Sequence, residues 1–166
     1  MKRATTTAAV VVVMGMATLT MVGRLAAQAM PNFAGTWTIV ADPNAPGGGR
    51  GPGGLGPSAT IVQDASTLTI TRSTQMGEFT SKYNLDGTES KNTLNFNGTS
   101  VEQVSKTKWD GGKLLVNTTM NFNGNPVETS MILSVDAAGT LSVESTRPDF
   151  QGGGAPITTK ATYKKN

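Results

Sequence analysis

Four dipeptides decide what this chain can fold into: Asp86-Gly87, Asn97-Gly98, Asp110-Gly111 and Asn123-Gly124. Asp-Gly and Asn-Gly accept the positive φ angles of a two-residue hairpin turn. Each successive pair is separated by one strand's length of sequence and no more. Such a chain runs up and down in neighbouring antiparallel strands, because a parallel crossover needs a longer connection.

The segments between the turns alternate as strands do. In 67–74, Leu68 and Ile70 take one face and Thr67, Thr69 and Thr71 the other. Leu114, Val116, Met120 and Phe122 share a face of 113–122, and Val127, Met131, Leu133 and Val135 share a face of 126–135. Their opposite faces carry Thr, Asn, Ser, Glu and Lys, so one side of the sheet is dry and the other wet. The pattern predicts ten strands, at 33–40, 59–63, 67–74, 79–85, 89–95, 99–109, 113–122, 126–135, 140–147 and 157–164. The predicted fold is all-β, a ten-stranded antiparallel up-and-down β-barrel. Pairing the first strand with the last removes both exposed edges. In the first strand Phe33, Gly35, Trp37 and Ile39 are in phase, with Gly35 leaving room for a close neighbour.

Two segments fall outside this pattern. Residues 1–29 begin with Lys2 and Arg3, continue through an uncharged apolar run, and end in Ala27-Gln28-Ala29. That is the order of a secretory signal peptide with its small-residue cleavage site. The expected domains are therefore a signal peptide at 1–29 and a barrel at 30–166, placed in the periplasm or secreted. Residues 42–58 are dominated by Gly and Pro and form neither helix nor ladder. They read as a flexible connection or as a lid over one barrel mouth.

Charge then excludes partners. The chain has 14 basic and 11 acidic residues. Lys2, Arg3 and Arg24 lie in the leader, so the remainder is balanced. Lys106, Lys108 and Lys113, interleaved with Asp110, make no clustered basic face, which argues against nucleic acid. A membrane barrel needs an apolar exterior with aromatic girdles, whereas the wet face here is polar. No integral membrane segment is expected after leader cleavage.

There is no cysteine and no histidine, which removes the thiol nucleophile and the commonest general base. The acids sit mainly at turns, where Asp is favoured for backbone reasons, or on the polar phase of strands. No catalytic residue, metal site or cofactor is expected, and the chain does not read as an enzyme.

Phe33-Ala34-Gly35-Thr36-Trp37 resembles the Gly-x-Trp signature of the calycins, the group of lipocalins and fatty-acid-binding proteins. Trp109-Asp110-Gly111-Gly112-Lys113-Leu114 and the ending Thr159-Lys160-Ala161-Thr162-Tyr163-Lys164-Lys165 resemble the fatty-acid-binding branch. The likeness spans roughly 32–165 and implies an exported, lipocalin-like bacterial barrel around a small ligand. Two departures stand out. The helical pair of that branch is replaced by 42–58, and its carboxylate-binding arginine, two residues before the tyrosine, is Ala161 here. Tyr163 alone corresponds.

Binding candidates come from phase. Met120 and Met131, with Met76, offer adaptable thioethers for an irregular ligand. Thr118, with Gln103, Ser105, Thr107 and Thr129, puts polar groups on the dry face, where they need partners. Arg72 follows Leu68 and Ile70 in phase, and Arg147 follows Leu141, Val143 and Ser145. A guanidinium directed inward needs an anion; alternatively, both lie at strand ends and reach solvent. The expected ligand-binding residues are thus Arg72, Arg147, Tyr163, Met120, Met131 and Thr118. The expected function is binding of a small apolar or amphipathic molecule, an anionic one if both arginines face inward. The rival reading is a secreted structural or interaction domain with a filled core.

Overall fold

A computed structural model describes residues 30–40, 54–74, 77–96, 98–122, 124–149 and 153–166. The predicted signal peptide, most of the Gly/Pro-rich connection and Met76 lie outside them. The described strands are β1 (Gly35–Ile39), β2 (Ser58–Gln63), β3 (Thr67–Thr74), β4 (Gly77–Asn84), β5 (Ser90–Phe96), β6 (Thr99–Asp110), β7 (Lys113–Phe122), β8 (Asn125–Val135), β9 (Leu141–Arg147) and β10 (Ile157–Lys165). All pair antiparallel in one sheet, ordered β4-β3-β2-β1-β10-β9-β8-β7-β6-β5. The predicted ten-stranded meander is the observed one, with most strand ends shifted by one or two residues.

The first strand pairs with the last, through Trp37↔Lys165 and Ile39↔Tyr163. The sheet ends are β4 and β5, and there the barrel closes by side chains in place of a ladder. Asn92 Oδ1 accepts the Lys82 N–H at 2.7 Å while its Nδ2 donates to the Lys82 carbonyl at 3.0 Å. One amide side chain thus imitates a rung of β-pairing. The Asn84 N–H donates to Ser90 Oγ at 2.7 Å, and the Thr107 hydroxyl donates to the Asn84 carbonyl.

Alternation puts one apolar phase inside. Trp37, Ile61, Leu68, Ile70, Leu114, Val116, Leu133, Leu141, Val143 and Tyr163 are buried in a single core. The end bearing the β2–β3 and β6–β7 turns is stoppered by residues that precede β1. Phe33 stacks on Trp109 with ring centroids 6.0 Å apart and planes 7° from parallel. Its carbonyl accepts the Trp37 indole N–H at 2.9 Å, and its N–H donates to Gln63 Oε1 at 2.8 Å. Trp109 is therefore a packing residue of the closed end, although its Nε1 is buried with no partner among the described residues. Gly35 makes room for a side chain and not for a backbone. At φ 143° it lies under Lys165, whose Cε would stand 2.3 Å from an added Cβ, and whose ammonium sits 5.7 Å from the Trp37 ring centroid.

The opposite end carries the β1–β2 connection. Its final residues are built into the barrel: Leu55 is fully buried, and its N–H donates to the Tyr163 hydroxyl at 2.8 Å. The reading of 42–58 as a simple flexible connection does not extend to Gly54–Ser58. The Gly54 N–H donates to Ser145 Oγ at 3.1 Å, and Ser58 already belongs to β2. Gly/Pro composition marks where a ladder cannot run, but one leucine inside it still gains by leaving water.

Candidate functional site

Toward this loop-bearing end the apolar core gives way to a cavity of ≈ 260 Å³. Two strand patterns create it. On β6 and β7 the inward phase changes from Leu114 and Val116 to Thr118 and Met120, and from Thr107 and Ser105 to Gln103. On β3 and β9 it changes from Leu68, Ile70 and from Leu141, Val143 to Arg72 and Arg147. Small, polar and long flexible side chains fill space less completely than branched aliphatic ones, so the interior opens where they begin.

Arg72 and Arg147 both line this cavity. Three strands, β2, β1 and β10, separate β3 from β9 in the sheet, so the two guanidinium groups approach the same space from different parts of the wall. Met120, Met131 and Thr118 line it as well, so the five residues singled out from phase converge on one site. Among the described residues that line it there is no Asp or Glu.

Tyr163 is placed otherwise. It is fully buried beside the cavity, not in its lining, and its hydroxyl serves as acceptor for Leu55. Burial raises its pKa above the ordinary tyrosine value. The Leu55 N–H and the positive charge of Arg72 oppose that rise. Tyr163 thus holds the end of the β1–β2 connection, and Arg72 is near enough to act on it electrostatically.

The polar column is partly satisfied internally. Ser105 and Thr118 hydroxyls pair at 2.8 Å, and Thr107 is taken by Asn84. Gln103, only 7% exposed, faces the cavity with Tyr83 and Ser145. Tyr83 alternates in phase with Leu85, and both are buried. Gly54 also contributes to the lining, yet nothing in a glycine-rich segment distinguishes one glycine from the next. Among the described residues no group of three or more acidic, His or Cys side chains could hold a metal ion.

No protein-family model matches this sequence, and no curated protein matches it.

Proposed function

We propose that this protein is an exported barrel of calycin type that holds a small amphipathic anion. The observation that carries the reading is that Arg72 and Arg147 both line one cavity. Two guanidinium groups at a half-buried site favour an anion that both can reach, and a planar carboxylate accepts bidentate contacts from such forks. Leu94, Val116, Met120 and Met131 offer an apolar surface for a short tail, with the methionines able to adapt their shape. Thr118, Gln103 and Ser145 supply hydrogen-bonding groups near the head. No chemical step is proposed, since the chain lacks His and Cys. The leader at 1–29 would deliver the protein to the periplasm or beyond.

Calorimetric titration with octanoate and with its uncharged analogue octanol tests this reading. Octanoate should bind at one saturable site, and octanol much more weakly. The preference should vanish in the Arg72→Gln/Arg147→Gln variant, with a loss on the order of 2–5 kcal/mol. Equal binding of both compounds, or none, would leave the interaction domain with a filled core as the better reading. The Ser105–Thr118 pair already satisfies part of the polar column in that way.

A further inference from the structure

Among the described residues the β8–β9 ladder stops short of its neighbours. It runs from Val135↔Leu141 to Ser130↔Thr146 and stops there. Yet β8 continues against β7 as far as Asn125, and β9 continues against β10 as far as Arg147. The missing rung would join Thr129 to Arg147, and both face the interior. Pro148 follows Arg147 at once; without an N–H it has no donor for a longer ladder.

An open cleft of ≈ 640 Å³ lies at this point. Its lining has a diagnostic composition. Successive side chains of a strand point to opposite faces, so a hollow on the outside of a continuous sheet is lined by one phase. Here exposed Asn117 and Thr119 contribute together with Thr118, the inward residue between them. On β8, exposed Glu128 contributes together with inward Thr129. Thr118, Thr129, Ser130, Thr146 and Arg147 line the cleft and the interior cavity alike. The two hollows thus border the same missing rung from inside and outside.

We propose that the two hollows join at this point and that the opening is the passage by which a ligand reaches the interior. The proposal builds on the amphipathic-anion reading above. Three observations support it. The cavity of ≈ 260 Å³ is smaller than the roughly 300–1,000 Å³ usual for sites that enclose a drug-sized ligand, so a ligand with a larger head extends beyond it. The rim of Asn117, Thr119 and Glu128 is polar and meets water, whereas Leu94 and Val116 line the cavity within. Leu55, buried and tied to Tyr163, occupies part of the loop-bearing end.

The chain has no cysteine, so an introduced thiol reports access unambiguously. Val116 lines the cavity and is 1% exposed. Its modification by methyl methanethiosulfonate should be at least about tenfold slower in Val116→Cys/Thr129→Trp than in Val116→Cys, because thiol reactivity follows access. An unchanged rate in a variant with an intact thermal transition overturns the passage. Should Thr129→Trp fail to fold, Thr129→Cys with a polyethylene-glycol maleimide replaces it. Coupling to the folded protein supports the opening, and failure to couple overturns it. Neither thiol measurement involves a ligand, so loss of octanoate binding would end the functional reading and leave the opening standing.

Discussion

The Tyr163 hydroxyl accepts the backbone N–H of Leu55 at 2.8 Å, joining the end of a Gly/Pro-rich connection to the last strand of the barrel. Leu55 itself is fully buried. A leucine set in the core should cost about 2–5 kcal/mol on truncation to alanine. Tyr163→Phe leaves a buried N–H unpaired and should cost about 1–3 kcal/mol. Denaturant unfolding measures both. Trimming the connection should be tolerated only when Gly54–Ser58 is kept, since loop closure varies slowly with length but core burial does not. Equal stability with Leu55 deleted would refute this.

The same tyrosine sets an alkaline limit. Its folded pKa is raised, chiefly by burial, so above the ordinary tyrosine pKa of about 10 the unfolded chain holds fewer protons than the folded one. Its contribution to stability is complete below that pH and is lost as pH rises through the folded pKa. Wild type should therefore lose stability above about pH 10 more steeply than Tyr163→Phe. Parallel curves from unfolding titrations would sink the assignment.

At the closed end, Trp37 is 2% exposed and its indole N–H is bonded to the Phe33 carbonyl. Trp37→Ala should cost about 3–5 kcal/mol. A near-neutral result in denaturant unfolding would mean that the stopper is not a stabilising element.

The β4–β5 seam depends on Asn92. Replacing it by alanine removes two hydrogen bonds to Lys82, each worth about 0.5–1.5 kcal/mol. Exchange of the Lys82 amide should accelerate in Asn92→Ala, while that of amides in the β7–β8 ladder changes only with global stability. Unaltered protection at Lys82 would show that the seam is held by other contacts.

Processing provides a separate check on the leader. Protein recovered from outside the cytoplasm should begin at Met30, and N-terminal sequencing that found Lys2 still attached would contradict export by this route.

Much of the site was legible residue by residue. Arg72, Arg147, Met120, Met131 and Thr118 were placed inward by counting twos along their strands, and each lines the cavity. Tyr163 entered through the resemblance to fatty-acid-binding proteins and not by phase, and its partner is Leu55, a residue with no periodic neighbours to mark it.

The sequence by itself determined the strands, their antiparallel succession and the face each side chain takes. Those features follow from local sterics: turn glycines at positive φ, and a pleat that alternates at every residue. Tertiary structure decided the rest. Arg72 and Arg147 meet because closure of the sheet brings β3 and β9 around one interior, and strand tilt and stagger set their height. The Asn92 bridge, the burial of Leu55 and the ladder that stops at Ser130↔Thr146 depend on how a closing sheet resolves its last gaps. Alternation along a strand fixes direction, in or out, but carries no information about which distant strand lies across the barrel.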